Sequence, residues 1–287
     1  MPTEPIPPFQ AIYRHLIERR GLDLSRYKES YLRRRLLVRV RALKLAGVAE
    51  YARYLKRHPE ETGLLQRALS IKVTGFFRNR SCFAFLRESV VPDLVKRSAA
   101  RRRRVTIWSA GCATGEEAYS LAALFACASG DHPAVRAQIL GTDVDEGALE
   151  RARRALFAAV ALLDGAPREA IRHFEILEDG TAIPGPRLRR MVTFERESLL
   201  DPFDRADLDL IACRNVLIYF SLEHQVTILR RFATALAAGG YLVLGRVERL
   251  FGPARSLFEV ASARDRVYRR LPDAPRDPAG SEEAACA

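Results

Sequence analysis

Two short segments constrain this chain most, because together they predict a ligand-binding βαβ unit. Residues 108–120 (WSAGCATGEEAYS) are typical of a strand end, a loop of small residues and the start of a helix. Residues 139–145 (ILGTDVD) form a second apolar strand pattern that ends at an acid, Asp143. Glycine lets a ligand approach the backbone closely, since it has no Cβ and tolerates positive φ. An acid after the second strand can accept both hydroxyls of a ribose.

The loop between Gly111 and Gly115 indicates which nucleoside ligand fits. It lacks the three-glycine spacing of a dinucleotide site and the Lys-Ser/Thr pair of a triphosphate site. Glu116 and Glu117 follow at once and would repel a pyrophosphate at the helix N-terminus. S-adenosylmethionine, which has no phosphate and carries a cationic sulfur, fits better. Asp143 is therefore predicted to bind its ribose; the alternative is that Asp143 caps the helix that follows.

Apolar segments alternate with helical patterns throughout the region after residue 104. Strands are predicted at 105–110, 137–142, 190–195, 207–213 and 240–245, with a final pair near 257–261 and 265–270. Helices are predicted at 115–129, 145–156 and 221–237. This alternation predicts an α/β fold with a mostly parallel sheet. Residues 157–190 are irregular, and the alternation from 171 to 177 before Glu-Asp-Gly suggests a small antiparallel hairpin.

Residues 9–80 are predicted to form a small helical domain. One helix carries an apolar face and a basic face at 3.6-residue spacing, and Gly47 is predicted to end it. The apolar face consists of Leu32, Leu36, Val40 and Leu43, and the basic face of Arg33, Arg34, Arg41 and Lys44. A linker helix and a polar, solvated connector are expected over 81–104. The Pro-rich residues 272–287 are expected to be disordered.

Composition limits the remaining possibilities. The net charge of +12 comes from residues 11–80, which hold 18 basic and 6 acidic residues, whereas residues 81–287 hold 29 and 28. Such a local excess indicates an acidic partner. No apolar run reaches the ~20 residues that span a bilayer. Five scattered cysteines without metal-ligand spacing argue against a disulfide framework or a metal site, so a reducing cytoplasm is expected.

Four blocks, in order over roughly residues 25 to 270, resemble the chemotaxis receptor glutamate O-methyltransferase (CheR) family. They are residues 74–78 (TGFFR), 109–120 (SAGCATGEEAYS), 213–220 (CRNVLIYF) and 239–245 (GGYLVLG) followed by Glu248. The resemblance implies a class I (Rossmann-like) methyltransferase sheet within 105–271, an N-terminal all-helical domain and an inserted β-subdomain at about 157–190. Four positions depart from the family pattern: Lys72 replaces an Asn, Ala118 a Pro, and Arg246-Val247 a His-Ser.

The resemblance also implies an activity and its residues. A glutamate carboxylate is already a nucleophile at neutral pH, since its pKa is about 4.3, so the site must bind and orient rather than deprotonate. Arg78 and Tyr219 are predicted to be catalytic, with Arg78 gripping the substrate carboxylate. The predicted cofactor-binding residues are Lys72, Thr74, Arg78, Gly111, Glu117, Asp143, Ser198, Leu199, Asn215 and Val216. The predicted receptor-binding residues are Arg33, Arg34, Arg41 and Lys44, facing the cytoplasmic helical bundle of a chemoreceptor.

Alternatives remain open for several residues. Arg78 could be a surface arginine, and Tyr219 a half-buried aromatic with a satisfied hydroxyl. Glu117 is predicted to reach the cofactor and Glu116 to cap the helix, although the two roles could be exchanged. Arg214 could pair with a neighbouring acid.

Two other functions compete with glutamate methylation. The positive charge permits a nucleic-acid methyltransferase, but no aromatic side chains interleave the basic patch for base stacking, so no nucleic-acid partner is expected. The other alternative, a non-catalytic signalling protein that binds S-adenosylmethionine, rests on Lys72, which replaces an Asn of the family pattern.

Overall fold

The computed structural model describes residues 7–20, 24–69, 74–129 and 136–272. The chain divides into two compact units, Met1–Ile71 with Tyr219–His224, and Lys72–Ile218 with Gln225–Ala287. This division falls before the predicted end of the helical domain at residue 80. Lys72 and the tail after residue 272 lie outside the described residues. None of the described helices has both the length and the apolarity needed to cross a bilayer.

The first unit is helical. Its helices are α1 (Pro8–Arg20), α2 (Glu29–Ala42), α3 (Val48–Arg57) and α4 (Pro59–Leu69). The predicted apolar face of α2 packs into the core of this unit, where Leu32, Leu36 and Val40 are buried. The basic face of the same helix is exposed.

The end of α2 differs from the prediction. The chain leaves the helix through Lys44, which adopts a left-handed backbone with a φ of 54°. Gly47 has a φ of 169°, which is extended backbone, and it immediately precedes α3. The prediction that Gly47 ends α2 is therefore wrong, because the turn that stops the helix is made three residues earlier by a non-glycine residue.

The second unit contains a seven-stranded sheet and a three-stranded sheet. The strands are β1 (Val105–Ala110), β2 (Ala137–Asp143), β3 (Phe157–Ala158), β4 (Phe174–Ile176), β5 (Thr181–Pro184), β6 (Val192–Arg196), β7 (Leu208–Cys213), β8 (Leu236–Leu244), β9 (Phe258–Ser262) and β10 (Val267–Arg270). The large sheet has the order β6-β2-β1-β7-β8-β10-β9. Its first five strands are parallel, and β10 is antiparallel to both of its neighbours. The predicted α/β fold is confirmed.

Helices flank the strands as the alternation predicts. They are α5 (Arg80–Phe85), α6 (Val91–Arg101), α7 (Glu116–Ser129), α8 (Glu146–Arg154), α9 (Ala159–Gly165), α10 (Arg168–Ile171), α11 (Pro186–Met191) and α12 (Leu222–Ala235). A π-helical turn, Leu86–Val90, joins α5 to α6, so the predicted linker is helical up to Arg101. The connector is not purely solvated, because the Arg103 guanidinium pairs with the buried Asp209 carboxylate at 2.6 Å.

The predicted antiparallel insert is present as the small sheet, in the order β3-β5-β4. The Phe76 ring packs edge-on against Phe157 and Phe174, with centroids 5.0 and 5.4 Å away. Gly165 lies so close to the Phe76 carbonyl oxygen that a Cβ would collide with it. The insert therefore packs against the loop that carries Arg78.

Candidate functional site

The glycine loop follows β1 and is hydrogen-bonded to the carboxyl end of β2. The amides of Gly111 and Cys112 donate to the Thr142 carbonyl at 2.8 and 2.9 Å. Gly111 has a φ of +80°, and a Cβ there would lie 2.5 Å from Cγ2 of Val216. Glycine is thus required at this position for two reasons, the positive φ of the backbone and the close approach of the Val216 side chain.

Asp143 organises this loop from the end of β2. Its carboxylate accepts the amide of Ala113 at 2.9 Å and the amide of Asp145 at 3.0 Å. The helix N-cap is Asp145, which accepts from the Ala148 amide, so the alternative role of Asp143 as that cap is wrong. Burial raises the pKa of the Asp143 carboxyl above its usual range. An ionised carboxylate has about four acceptor positions, which leaves capacity for ribose hydroxyls.

Glu117 sits in a buried network at the start of α7. One carboxylate oxygen accepts the Ser109 hydroxyl at 2.7 Å, and the other accepts Nη1 of Arg214 at 3.1 Å. Nη2 of Arg214 donates to the Arg78 carbonyl. The proposed pairing of Arg214 with an acid is therefore observed, and it links the glycine-loop helix to the Arg78 loop. Glu116 accepts the Thr114 hydroxyl at 2.7 Å.

The Arg78 loop has an unusual backbone. Phe77 and Asn79 adopt left-handed conformations with φ values of 48° and 64°. The Phe77 amide donates to the Ser120 hydroxyl at 3.0 Å, which fixes the loop to α7. Thr74 and Arg78 are half-buried at the two ends of this segment. Non-glycine residues keep a left-handed backbone conformation where surrounding contacts hold them in it, and such residues are concentrated at functional sites.

The loop after β7 presents Asn215 and Val216. Asn215 has a left-handed backbone with a φ of 61°, and its side-chain Oδ1 is buried without a hydrogen-bond partner among the described residues. The buried Glu248 carboxylate accepts the amides of both residues, each at 2.9 Å. The sequence motif contains Glu248 but predicts no role for it. The signal for its role is a glutamate three residues after Gly245, at the end of β8.

The remaining predicted residues lie in different places. Leu199 is buried after β6, and Ser198 accepts the Leu200 amide at 3.2 Å. Tyr219 belongs to the first unit, where its ring lies 4.7 Å from that of Tyr31, and its catalytic role stays a prediction. The four basic residues of α2 and its C-terminal turn are exposed.

The second unit offers a buried acceptor that suits a nucleoside cofactor. The Asn215 amide oxygen is this acceptor, since it has no hydrogen-bond partner among the described residues, and the lack of a Cβ on Gly111 lets Val216 pack directly against the glycine loop. Within the described ranges there is no cluster of three or more His, Cys, Asp or Glu residues that could hold a metal ion.

Comparison with known families agrees with this geometry. A model described as "CheR methyltransferase, SAM binding domain" matches residues 72–267, and one described as "CheR methyltransferase, all-alpha domain" matches residues 7–70. The chain belongs to the CheR methyltransferase family. The predictions of an S-adenosylmethionine-dependent methyltransferase and of a class I fold with an all-helical N-terminal domain are confirmed.

Individual relatives extend over both units. A chemotaxis protein methyltransferase of Listeria monocytogenes is 34% identical over 235 residues, which cover 82% of this chain and 87% of the relative. Chemotaxis protein methyltransferase 2 of Pseudomonas aeruginosa is 34% identical over 247 residues, covering 84% and 85%. An uncharacterised 104.1 kDa protein of Rhodobacter capsulatus is 37% identical over 250 residues, which are 85% of this chain but 26% of that protein. The chain thus spans about a quarter of the last relative.

Proposed function

We propose that this CheR family methyltransferase transfers the methyl group of S-adenosylmethionine to glutamate γ-carboxylates of methyl-accepting chemoreceptors. The observation that carries the proposal is the match to chemotaxis methyltransferases over 82% of the chain, which includes both units. A protein that acts on the cytoplasmic part of a receptor would itself be cytoplasmic.

The proposed division of labour follows from the chemistry. Bound S-adenosylmethionine supplies a methyl group activated by a cationic sulfur. Asp143 would hold the ribose, and Asn215 and Val216 would contact the cofactor beside the glycine loop. Further cofactor contacts are proposed for Lys72, Thr74, Gly111, Glu117, Ser198 and Leu199. Arg78 would orient the substrate carboxylate through two parallel hydrogen bonds.

The exposed basic face of α2 supports an acidic receptor helix as the partner. Arg34 and Arg41 are seven residues apart, which places them on one side of the helix. Arg33 is already engaged, because its guanidinium pairs with Glu29 at 2.7 Å and lies 4.1 Å from the Phe9 ring centroid. Arg34 and Arg41 are therefore the better candidates for direct receptor contact, with Lys44 at the edge of the same surface.

A labelling experiment separates the candidate functions. Methyl-labelled S-adenosylmethionine is incubated with the protein and either a receptor cytoplasmic fragment or RNA. Base-labile label on receptor glutamates is the expected result, since a glutamate methyl ester hydrolyses in base. Label on RNA would instead identify a nucleic-acid methyltransferase. Binding of S-adenosylhomocysteine without transfer to either substrate would favour a non-catalytic sensor.

The role of Arg78 is tested in the same assay. Arg78→Ala should lower the rate of receptor methylation far more than it lowers the affinity for S-adenosylhomocysteine. Arg104→Ala is the matched control, because Arg104 is exposed at the opposite, amino edge of β1, where it contacts Gln138. A normal methylation rate in Arg78→Ala would make Arg78 structural, and loss of cofactor binding would place its role in the cofactor pocket.

A further inference from the structure

Glu248 connects the carboxyl ends of two adjacent parallel strands. Its Oε2 accepts the amides of Asn215 and Gly245 at 2.9 and 2.6 Å. Its Oε1 accepts the amides of Val216 and Ile218 at 2.9 and 3.4 Å. One buried carboxylate therefore satisfies four backbone donors, three from the loop after β7 and one from the end of β8.

The surroundings of Glu248 are built to fit this arrangement. A Cβ on Gly245 would lie 2.6 Å from Oε2 of Glu248 and 2.7 Å from the Asn215 amide nitrogen, so only glycine allows the strand end to approach. The left-handed backbone of Asn215 turns successive amides toward the same carboxylate. Hydrogen bonds to an ionised acceptor are about twice as strong as neutral ones, so the carboxylate offsets the strain of this turn.

The loop held by Glu248 forms part of the proposed cofactor site. Val216 contacts the position where a Gly111 side chain would be, and Asn215 carries the buried amide oxygen without a partner in the described part of the chain. Neither residue can keep its place if the backbone after β7 relaxes, because both depend on the same turn.

We propose that Glu248 is a positioning residue of the cofactor site, which fixes Asn215 and Val216 for binding S-adenosylmethionine without touching the cofactor itself. The inference rests on the proposed cofactor contacts of these two residues. A glutamine at this position keeps the shape but replaces one acceptor oxygen with an NH2 donor. That donor would face backbone N–H groups, so one pair of loop hydrogen bonds is lost.

The test compares Glu248→Gln with Asp209→Asn. Asp209 is a matched control, because it is equally buried, accepts the Thr106 amide at 2.9 Å and lies at the opposite, amino end of β7. Both variants are assayed for urea stability, for S-adenosylhomocysteine affinity by calorimetry and for amide hydrogen exchange of residues 214–218. At metal sites, substituting a residue that holds a ligand in place commonly costs about 10- to 100-fold in affinity, and an effect of similar size is expected for a residue that holds cofactor contacts. Glu248→Gln should therefore weaken S-adenosylhomocysteine binding by about tenfold or more and raise exchange in that segment, whereas Asp209→Asn should change neither.

Two further variants keep the outcome decisive. If Glu248→Gln does not fold, Gly245→Ala carries the test, because the added Cβ pushes the carboxylate and the Asn215 amide apart without changing any charge. Normal cofactor affinity in Glu248→Gln, or in Gly245→Ala if that variant replaces it, overturns the proposed role of Glu248. An equal loss of cofactor affinity in Asp209→Asn overturns it as well. Asn215→Ala separates the two hypotheses: normal affinity in that variant refutes the proposed contact of Asn215, whereas weakened binding there with normal binding in Glu248→Gln refutes the inference alone.

Discussion

The buried pair between Glu117 and Arg214 allows a quantitative test of the network behind the cofactor loop. The side chains are 11% and 3% exposed, and the pair spans two elements that are 97 residues apart in sequence. Removing one partner of a buried pair costs about 3–5 kcal/mol, because the remaining charge is left without compensation. Arg214→Met and Glu117→Gln should each lower the free energy of unfolding by amounts in this range.

The double variant should be much less affected than the sum of the single variants. Replacing both partners of a buried ion pair with well-packed hydrophobic residues of similar volume is often neutral. The Met and Gln of the double variant also leave no buried charge, and the Gln keeps an acceptor for the Ser109 hydroxyl. Arg214 also donates to the Arg78 carbonyl and lies 5.3 Å from the Phe83 ring centroid, and these contacts stay lost in the double variant. That loss is worth about 1–2 kcal/mol, since a typical hydrogen bond contributes about 1 kcal/mol. A coupling energy of about 4 kcal/mol or more is therefore expected, which is the difference between the sum of the two single losses and the loss in the double variant.

Urea denaturation followed by tryptophan fluorescence measures this coupling. Trp108 is the single tryptophan, and it is fully buried in β1 beside Ser109. The exposed pair of Arg87 and Glu169, each side chain 42% exposed, is the matched control. Its coupling should stay below about 1 kcal/mol. Additive effects of the Glu117 and Arg214 substitutions would refute the reasoning, because they would show that the two charges do not depend on each other.

Four other perturbations test the site and the basic surface. Asp143→Ala should weaken S-adenosylhomocysteine binding by about 2–4 kcal/mol in calorimetry, since two charge-assisted hydrogen bonds to the ribose are lost; unchanged affinity would exclude ribose binding. Burial raises the pKa of Asp143, so wild-type affinity should fall as the pH is lowered through this raised pKa, where the carboxyl becomes neutral, and Asp143→Asn should lack this step. Gly111→Ala should lower the free energy of unfolding by about 1–3 kcal/mol, because of its positive φ and the clash with Val216; wild-type stability in urea would show that the loop relaxes freely. Replacing Arg34 and Arg41 together by Glu should raise the KM for receptor by an amount equivalent to about 1–2 kcal/mol at low salt, without affecting S-adenosylhomocysteine binding. The rise in KM should shrink at higher salt, because salt screens the charges. Unaltered receptor kinetics would show that this basic face does not contact the receptor.

The order of the strands and helices in the second unit follows from local sequence patterns. The apolar runs that became β1, β2, β7 and β8 are bounded by small, polar or charged residues, and each predicted boundary lies within a few residues of the observed one, apart from the early start of β8. The helical pattern of α2 was equally clear, because a period of 3.6 residues reports directly which face is buried. The termination of that helix was not, since Lys44 takes a left-handed conformation that sequence patterns normally assign to glycine.

In the candidate site, too, some features follow from the sequence and others only from the tertiary structure. The sequence by itself determined that a glycine loop follows β1 and that an acid ends β2, because local patterns record which residues follow each strand. Its resemblance to the CheR family predicts that the 74–78 and 213–220 segments join them in one methyltransferase site. Only the tertiary structure decided that the Glu117 carboxylate accepts hydrogen bonds from Ser109 and Arg214. It also decided that the Glu248 carboxylate accepts four backbone amides that follow β7 and β8. Arg214 lies 97 residues from Glu117, and Asn215 lies 33 residues from Glu248. These partners meet only because β1, β7 and β8 are neighbours in the sheet. Periodicity reports the local backbone and its buried face, whereas side-chain pairing depends on strand order and packing, which no local pattern encodes.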